Sequence, residues 1–169
     1  WPAPAPALLE ALACCHPTVP SADNPAKQIA LRLHGRIPCF WGANLEAAAA
    51  QAWTAALLWS AETMALAAHQ DELSRLLVMA RFPRFWPNAA VLVHLITPDA
   101  PAGLAAETGR LLARRRFAML DLHAPAGLAL LDRALYWLDM GEWVALYAAA
   151  LNNVDPAAQV PLEILFGAG

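Results

Sequence analysis

The sequence predicts an α/β domain, a three-layer αβα sandwich around a mostly parallel sheet. Short runs of continuous apolar character, Ile37 to Trp41, Ala89 to Thr97 and Phe117 to Leu122, alternate with segments of helical periodicity, and turn residues mark most boundaries. Unbroken apolar strands separated by helices are the pattern of a parallel sheet covered on both faces. A chain of 169 residues suits one such domain, in which folding buries roughly 70% of the unfolded surface.

Taken in order, the opening Trp1-Pro2-Ala3-Pro4-Ala5-Pro6 is stiff and extended, because each proline biases its predecessor away from the helical region. It reads as a linker leading to a short helix, Leu8 to His16, and residues 1–16 are expected to follow on from a preceding half, with the domain itself at 17–169. Pro17 to Asn24 is a loop. Asn24-Pro25 then starts a helix, a capping side chain before a proline at the first helical position, and the helix ends at Gly35. Ile37 to Trp41, Gly42 and Leu45 to Glu62 predict strand, tight turn and an alanine-rich helix. Met64 to Ala68 is a weak strand, Asp71 to Ala80 a helix, and Ala89 to Thr97 the clearest strand, bounded by Pro87-Asn88 and Pro98-Asp99. A helix over Gly103 to Arg115 leads to the strand Phe117 to Leu122. Ala126 to Asn152 is helical with a break expected near Gly141, and Asp155-Pro156 starts a last short helix.

Composition narrows the function. The chain is 59% hydrophobic and 15% charged, too apolar for disorder and rich enough to predict a large interface besides the core. The longest uncharged stretch, Ala47 to Ala61, contains Gln51, Thr54 and Ser60 and is too short for a membrane span. No charged and apolar leader pattern opens the chain, so no signal peptide is expected. A net charge of −3 with one basic run, Arg114-Arg115-Arg116, argues against nucleic-acid binding. That run reads as a solvated helix C-terminus facing its own dipole. Cys14, Cys15 and Cys39 show no metal or disulfide spacing and read as reduced thiols, which points to a cytoplasmic protein. The five histidines do not form a metal-ligand set, and His94, inside the clearest strand, reads as a satisfied core or sheet-edge residue.

Three segments in order, Asn24-Pro25-Ala26-Lys27-Gln28-Ile29-Ala30, then Gly35-Arg36-Ile37-Pro38 up to Gly42, and Gly141-Glu142-Trp143-Val144-Ala145-Leu146-Tyr147 running to Asn153-Val154-Asp155-Pro156, resemble the C-terminal domain of bifunctional phosphoglucose/phosphomannose isomerases. These belong to the SIS (sugar isomerase) superfamily. The resemblance implies a partner N-terminal SIS domain carrying the phosphate loop, a homodimer, a sugar-phosphate substrate, and neither metal nor organic cofactor. It also implies a glutamate that moves a proton between C1 and C2, a ring-opening histidine reached across the dimer, and a lysine near the C-terminus. Counting on from Trp53, the glutamate's Asn-Glu pair falls on Leu58-Trp59. The histidine motif comes closest to His69-Gln70-Asp71-Glu72-Leu73, and the lysine falls on Phe166.

Proton transfer at a sugar carbon needs a carboxylate held within hydrogen-bond reach of C1 and C2 and poised near the working pH. Trp59 cannot supply one. Glu62, three residues on, is the substitute carboxylate at helical spacing, although a solvated helix-end glutamate is the plainer reading. His69 is the candidate for ring opening, set against an ordinary surface histidine. Backbone N–H groups of Gly42, Ala43 and Asn44, at a helix start after a strand, are candidates for substrate binding. Trp53, Trp137 and Trp143 read as core or interface aromatics, with the faces of Trp137 and Trp143 as candidate contact surfaces. The function expected by resemblance is aldose–ketose isomerisation between glucose 6-phosphate or mannose 6-phosphate and fructose 6-phosphate, impaired by the loss of the glutamate and lysine. A non-catalytic SIS protein that binds a sugar phosphate or dimerises is the alternative.

Overall fold

A computed structural model describes residues 5–79, 81, 84–96, 108–112, 114 and 116–157. Pro6–Ala13 (α1) and Pro25–Leu33 (α2) precede the first strand, Ile37–Gly42 (β1), which leads into Asn44–Ala61 (α3). Leu66–His69 (β2), Gln70–Met79 (α4) and Trp86–Ala89 (α5) follow, then Ala90–Ile96 (β3). Helical residues 108–112 (α6) precede Ala118–His123 (β4) and the long helix Leu130–Asn152 (α7). Pro6 occupies the first turn of α1, where its missing N–H costs nothing, so the proline-rich opening becomes helical earlier than expected.

All four strands are parallel, in the order β2-β1-β3-β4. Alternation along the strands divides the side chains between two cores. Phe40, Val91, Val93 and Leu95 join Trp53, Leu57, Trp137, Met140 and Val144 beneath α3 and α7, while Trp41, Ala90 and Leu92 join Leu73, Leu112 and Phe117 on the other face. Helices therefore cover both faces, and the predicted three-layer αβα arrangement holds. Leu8 and Cys15 lie in the first of these cores, so residues 6–15 pack onto the sandwich through α7. The cysteines are free thiols, Cys14 exposed and Cys15 buried, and burial pushes the thiol of Cys39 up to about 11.

Asn24 caps α2 as expected: its Oδ1 accepts from Lys27 N at 3.0 Å, and its Nδ2 donates to the His16 carbonyl at 3.1 Å, tying the preceding loop to the helix. The expected break at Gly141 is absent, and α7 runs unbroken. A Cβ at Gly141 would stand 2.6 Å from Cδ1 of Trp53, so the glycine makes room for an indole rather than ending a helix. Trp53 is 1% exposed and donates from Nε1 to the Trp137 carbonyl at 2.7 Å. Trp137 is equally buried, which withdraws it as a contact surface, whereas Trp143 is half-buried. Asp155 to Ala157 form a turn, with Ala157 N donating to the Asp155 carboxylate at 2.9 Å. The positions from Thr97 to Asp99 and Phe166 lie outside the described residues.

Candidate functional site

Open parallel sheets place ligands at the carboxyl ends of their strands, and several candidates meet there. Strand register sets Gly42 beside His69. Gly42 lets the first turn of α3 fold tightly back on β1, since a Cβ there would come within 2.7 Å of the Glu46 Cβ. Ala43 is the N-cap of α3 with no side-chain cap, and its carbonyl accepts from Glu46 N at 3.0 Å. Asn44 follows in the left-handed region at φ 52°, which asparagine tolerates better than most residues.

Glu46 is the feature that sequence reasoning missed. It is fully buried in the first turn of α3, with Arg133 Nε 2.9 Å from its Oε1 and Trp137 Nε1 donating to the same oxygen at 3.2 Å. A carboxylate in the first turn complements the positive end of a helix dipole.

His69 closes β2 with its side chain 43% exposed. Its Nδ1 accepts from Asp71 N at 3.3 Å and stands 3.8 Å from Asp71 Oδ2, and its own backbone N donates to Glu72 Oε2 at 3.3 Å. An accepting Nδ1 puts the proton of the neutral ring on Nε2, a donor of the kind that ring opening requires. One residue back, Ala68, Trp41, His94 and Asp121 form a row across the whole sheet. The His94 imidazole stacks on the Trp41 indole at 3.6 Å between centroids and 4° between planes, with Nδ1 3.6 Å from Asp121 Oδ1. Burial lowers the pKa of His94; Asp121 works against that shift and His123 adds to it. The reading of His94 as a core residue holds.

Glu62 lies elsewhere. It caps the C-terminus of α3 in the left-handed conformation, exposed, at the amino end of the sheet. The four residues of β2 alone span about 13 Å. One chain therefore does not bring Glu62 and His69 to the same bond. Trp59, at the expected position of the glutamate, is 65% exposed near the same end of α3, beside Leu58 at 54%. Glu142 and Trp143 share an open cleft of about 280 Å³ with Ser60, Leu146 and Pro156, a second carboxylate close to the end of α3. A separate apolar cavity of about 210 Å³, lined by Trp41, Trp86, Phe117, Leu73 and Leu92 among others, has too little polarity for a sugar's hydroxyls.

Among the described residues no three or more His, Cys, Asp or Glu side chains are grouped so as to hold a metal ion, and no helix is long and apolar enough to cross a membrane. Comparison with known proteins gives a consistent result. No curated protein sequence matches significantly. A glucose-6-phosphate isomerase-like protein from Thermus thermophilus superposes with a TM-score of 0.74 at 28% identity, covering 93% of this chain and 54% of that one. A hypothetical protein from the same organism superposes with a TM-score of 0.68 at 16% identity, covering 95% and 48%, a likeness of fold alone. The chain thus spans about half the length of the structures it resembles. The model of the bacterial phospho-glucose isomerase C-terminal SIS domain matches residues 22–165, and the chain belongs to that family.

Proposed function

We propose that this domain is the C-terminal half of an aldose–ketose isomerase-like protein that takes hexose 6-phosphates, completed by an N-terminal SIS domain and by a second copy of itself. The observation that carries the reading is the separation of His69 from the Trp59–Glu62 end of α3 across the length of the sheet. A site using both needs one from each of two copies, the arrangement that the family resemblance implies for its histidine. Exposed apolar residues at the α3 end, Leu58, Trp59, Met64 and Leu66, support a covering partner there. His69 would serve ring opening, and Glu62 or Glu142 would be the carboxylate nearest the vacated base position.

Chemistry is impaired in this reading. An indole at position 59 has no proton to exchange near neutral pH, and a positioned acid–base group is worth roughly 10²–10⁴-fold. A coupled assay of the full-length protein on glucose 6-phosphate is expected to show turnover lower by about that factor than ordinary enzymes of about 1–10³ per second. Turnover within the ordinary range, lost in Glu62→Gln or Glu142→Gln, would overturn the impaired reading and identify the substitute base. The second reading, a non-catalytic sugar-phosphate-binding protein, is favoured by the exposure of Trp59; it predicts fructose 6-phosphate binding with no turnover at any enzyme concentration.

A further inference from the structure

At the amino end of the sheet, away from His69 and the Gly42 turn, a cleft of about 350 Å³ opens between the end of α2 and the start of β4. Leu31, Val91, Met119 and Leu120 form apolar parts of its wall, and Arg32, His34 and Arg36 contribute the polar part. No acidic side chain lines it among the described residues, and none of these three side chains has a carboxylate partner among them.

This arrangement is unexpected in a chain of net charge −3 with 14 acidic residues available to pair 11 basic ones. Arg32 in the last turn of α2 complements that helix's dipole, but this accounts for neither Arg36 nor His34. Like charges held together in a concave, partly apolar site raise the local potential and attract an anion. Arginine's planar fork suits the tetrahedral oxygens of phosphate, which two guanidinium groups can hold in bidentate fashion.

We propose that this cleft is a phosphate-binding site, with Arg32 and Arg36 gripping the dianion, His34 donating a further hydrogen bond, and the apolar wall taking the body of a small phosphate monoester. It is distinct from the site of the proposed isomerase reading and does not depend on it. The β4 side of the cleft is an edge strand of the described sheet.

The test is a titration of the full-length protein with inorganic phosphate and, separately, with phenyl phosphate, followed by amide NMR at low and at physiological salt. Saturable shifts confined to residues 31–36 and 118–120 are expected, with phenyl phosphate binding more tightly because its ring meets Leu31, Val91 and Met119. Equal affinity of the two probes would restrict the site to the free anion and overturn its monoester part. Arg32→Gln and Arg36→Gln, both at exposed positions, should each weaken binding roughly 5- to 20-fold, and the double variant should remove it. Affinity should fall as salt rises. Shifts spread evenly over Arg81, Arg84 and Lys27, or binding unchanged in the double variant, would show general charge attraction and sink the proposal. Loss of binding in His69→Gln with the arginines intact would place the phosphate at the carboxyl end instead.

Discussion

Replacing Gly141 with alanine tests how α7 meets α3. An added Cβ would lie 2.6 Å from Cδ1 and 2.7 Å from Nε1 of Trp53, distances at which something must move. Trp53 is hemmed in by Phe40 and Trp137, edge-on at 5.3 and 6.2 Å between centroids, and is 1% exposed. Overpacking of this kind costs roughly 1–3 kcal/mol. Tilting the indole also lengthens the 2.7 Å bond from its Nε1 to the Trp137 carbonyl, and an orphaned buried donor costs roughly 1–3 kcal/mol. Alanine's helix propensity returns about 1 kcal/mol. The net expectation is a loss of about 3 kcal/mol, which in a domain of this size lowers Tm by about 6–12 °C. Thermal melts followed by circular dichroism, with tryptophan fluorescence reporting on Trp53, measure it. An unchanged or raised Tm would mean that only propensity changed, and would refute the tight α3–α7 contact.

Glu46→Ala would strand Arg133, whose side chain is 13% exposed, and leave the Trp137 indole without its acceptor. Breaking a buried pair costs about 3–5 kcal/mol, to be read as a lower urea midpoint at unchanged m, with Glu46→Gln milder because it keeps an acceptor for the indole. His94 gives a pH dependence: desolvation holds its folded pKa below the ordinary value of 6.5 despite Asp121. The unfolded chain therefore binds the extra proton first, and stability should fall as pH drops through about 6.5, levelling off once the folded-state pKa is passed. His94→Gln should flatten that part of a stability-versus-pH curve.

Much of the fold was legible because its signals are local. The Asn24-Pro25 cap, the Gly42 turn and the apolar runs of β1, β3 and β4 each depend on neighbours within a few residues. Gly141 was misread for the same reason. A glycine in a helical pattern looks like a break until Trp53, brought in from α3, is placed against it. Glu46 sits in an alanine-rich helix that gives no hint of Arg133, 87 positions away. The row Trp41, His94 and Asp121 exists only once the register of three strands is set. His69 lies beside Gly42, but helical spacing alone could not show that Glu62 lies at the other end of the sheet. Sequence pattern gives no sign of the basic cleft, because Arg32 and Arg36 look like an ordinary helix end until β3 and β4 close the wall opposite.

The most direct measurement is the crystal structure of the full-length protein soaked with fructose 6-phosphate. Sugar density is expected between two copies, with C1 and C2 near the Trp59–Glu62 end of one α3 and the ring oxygen within hydrogen-bond reach of His69 Nε2 from the other copy. Apart from ligand held in the Arg32–Arg36 cleft, sugar bound at His69 or at the Trp59–Glu62 end by residues of one copy only, or a monomeric protein with no sugar at either end of α3, would contradict it.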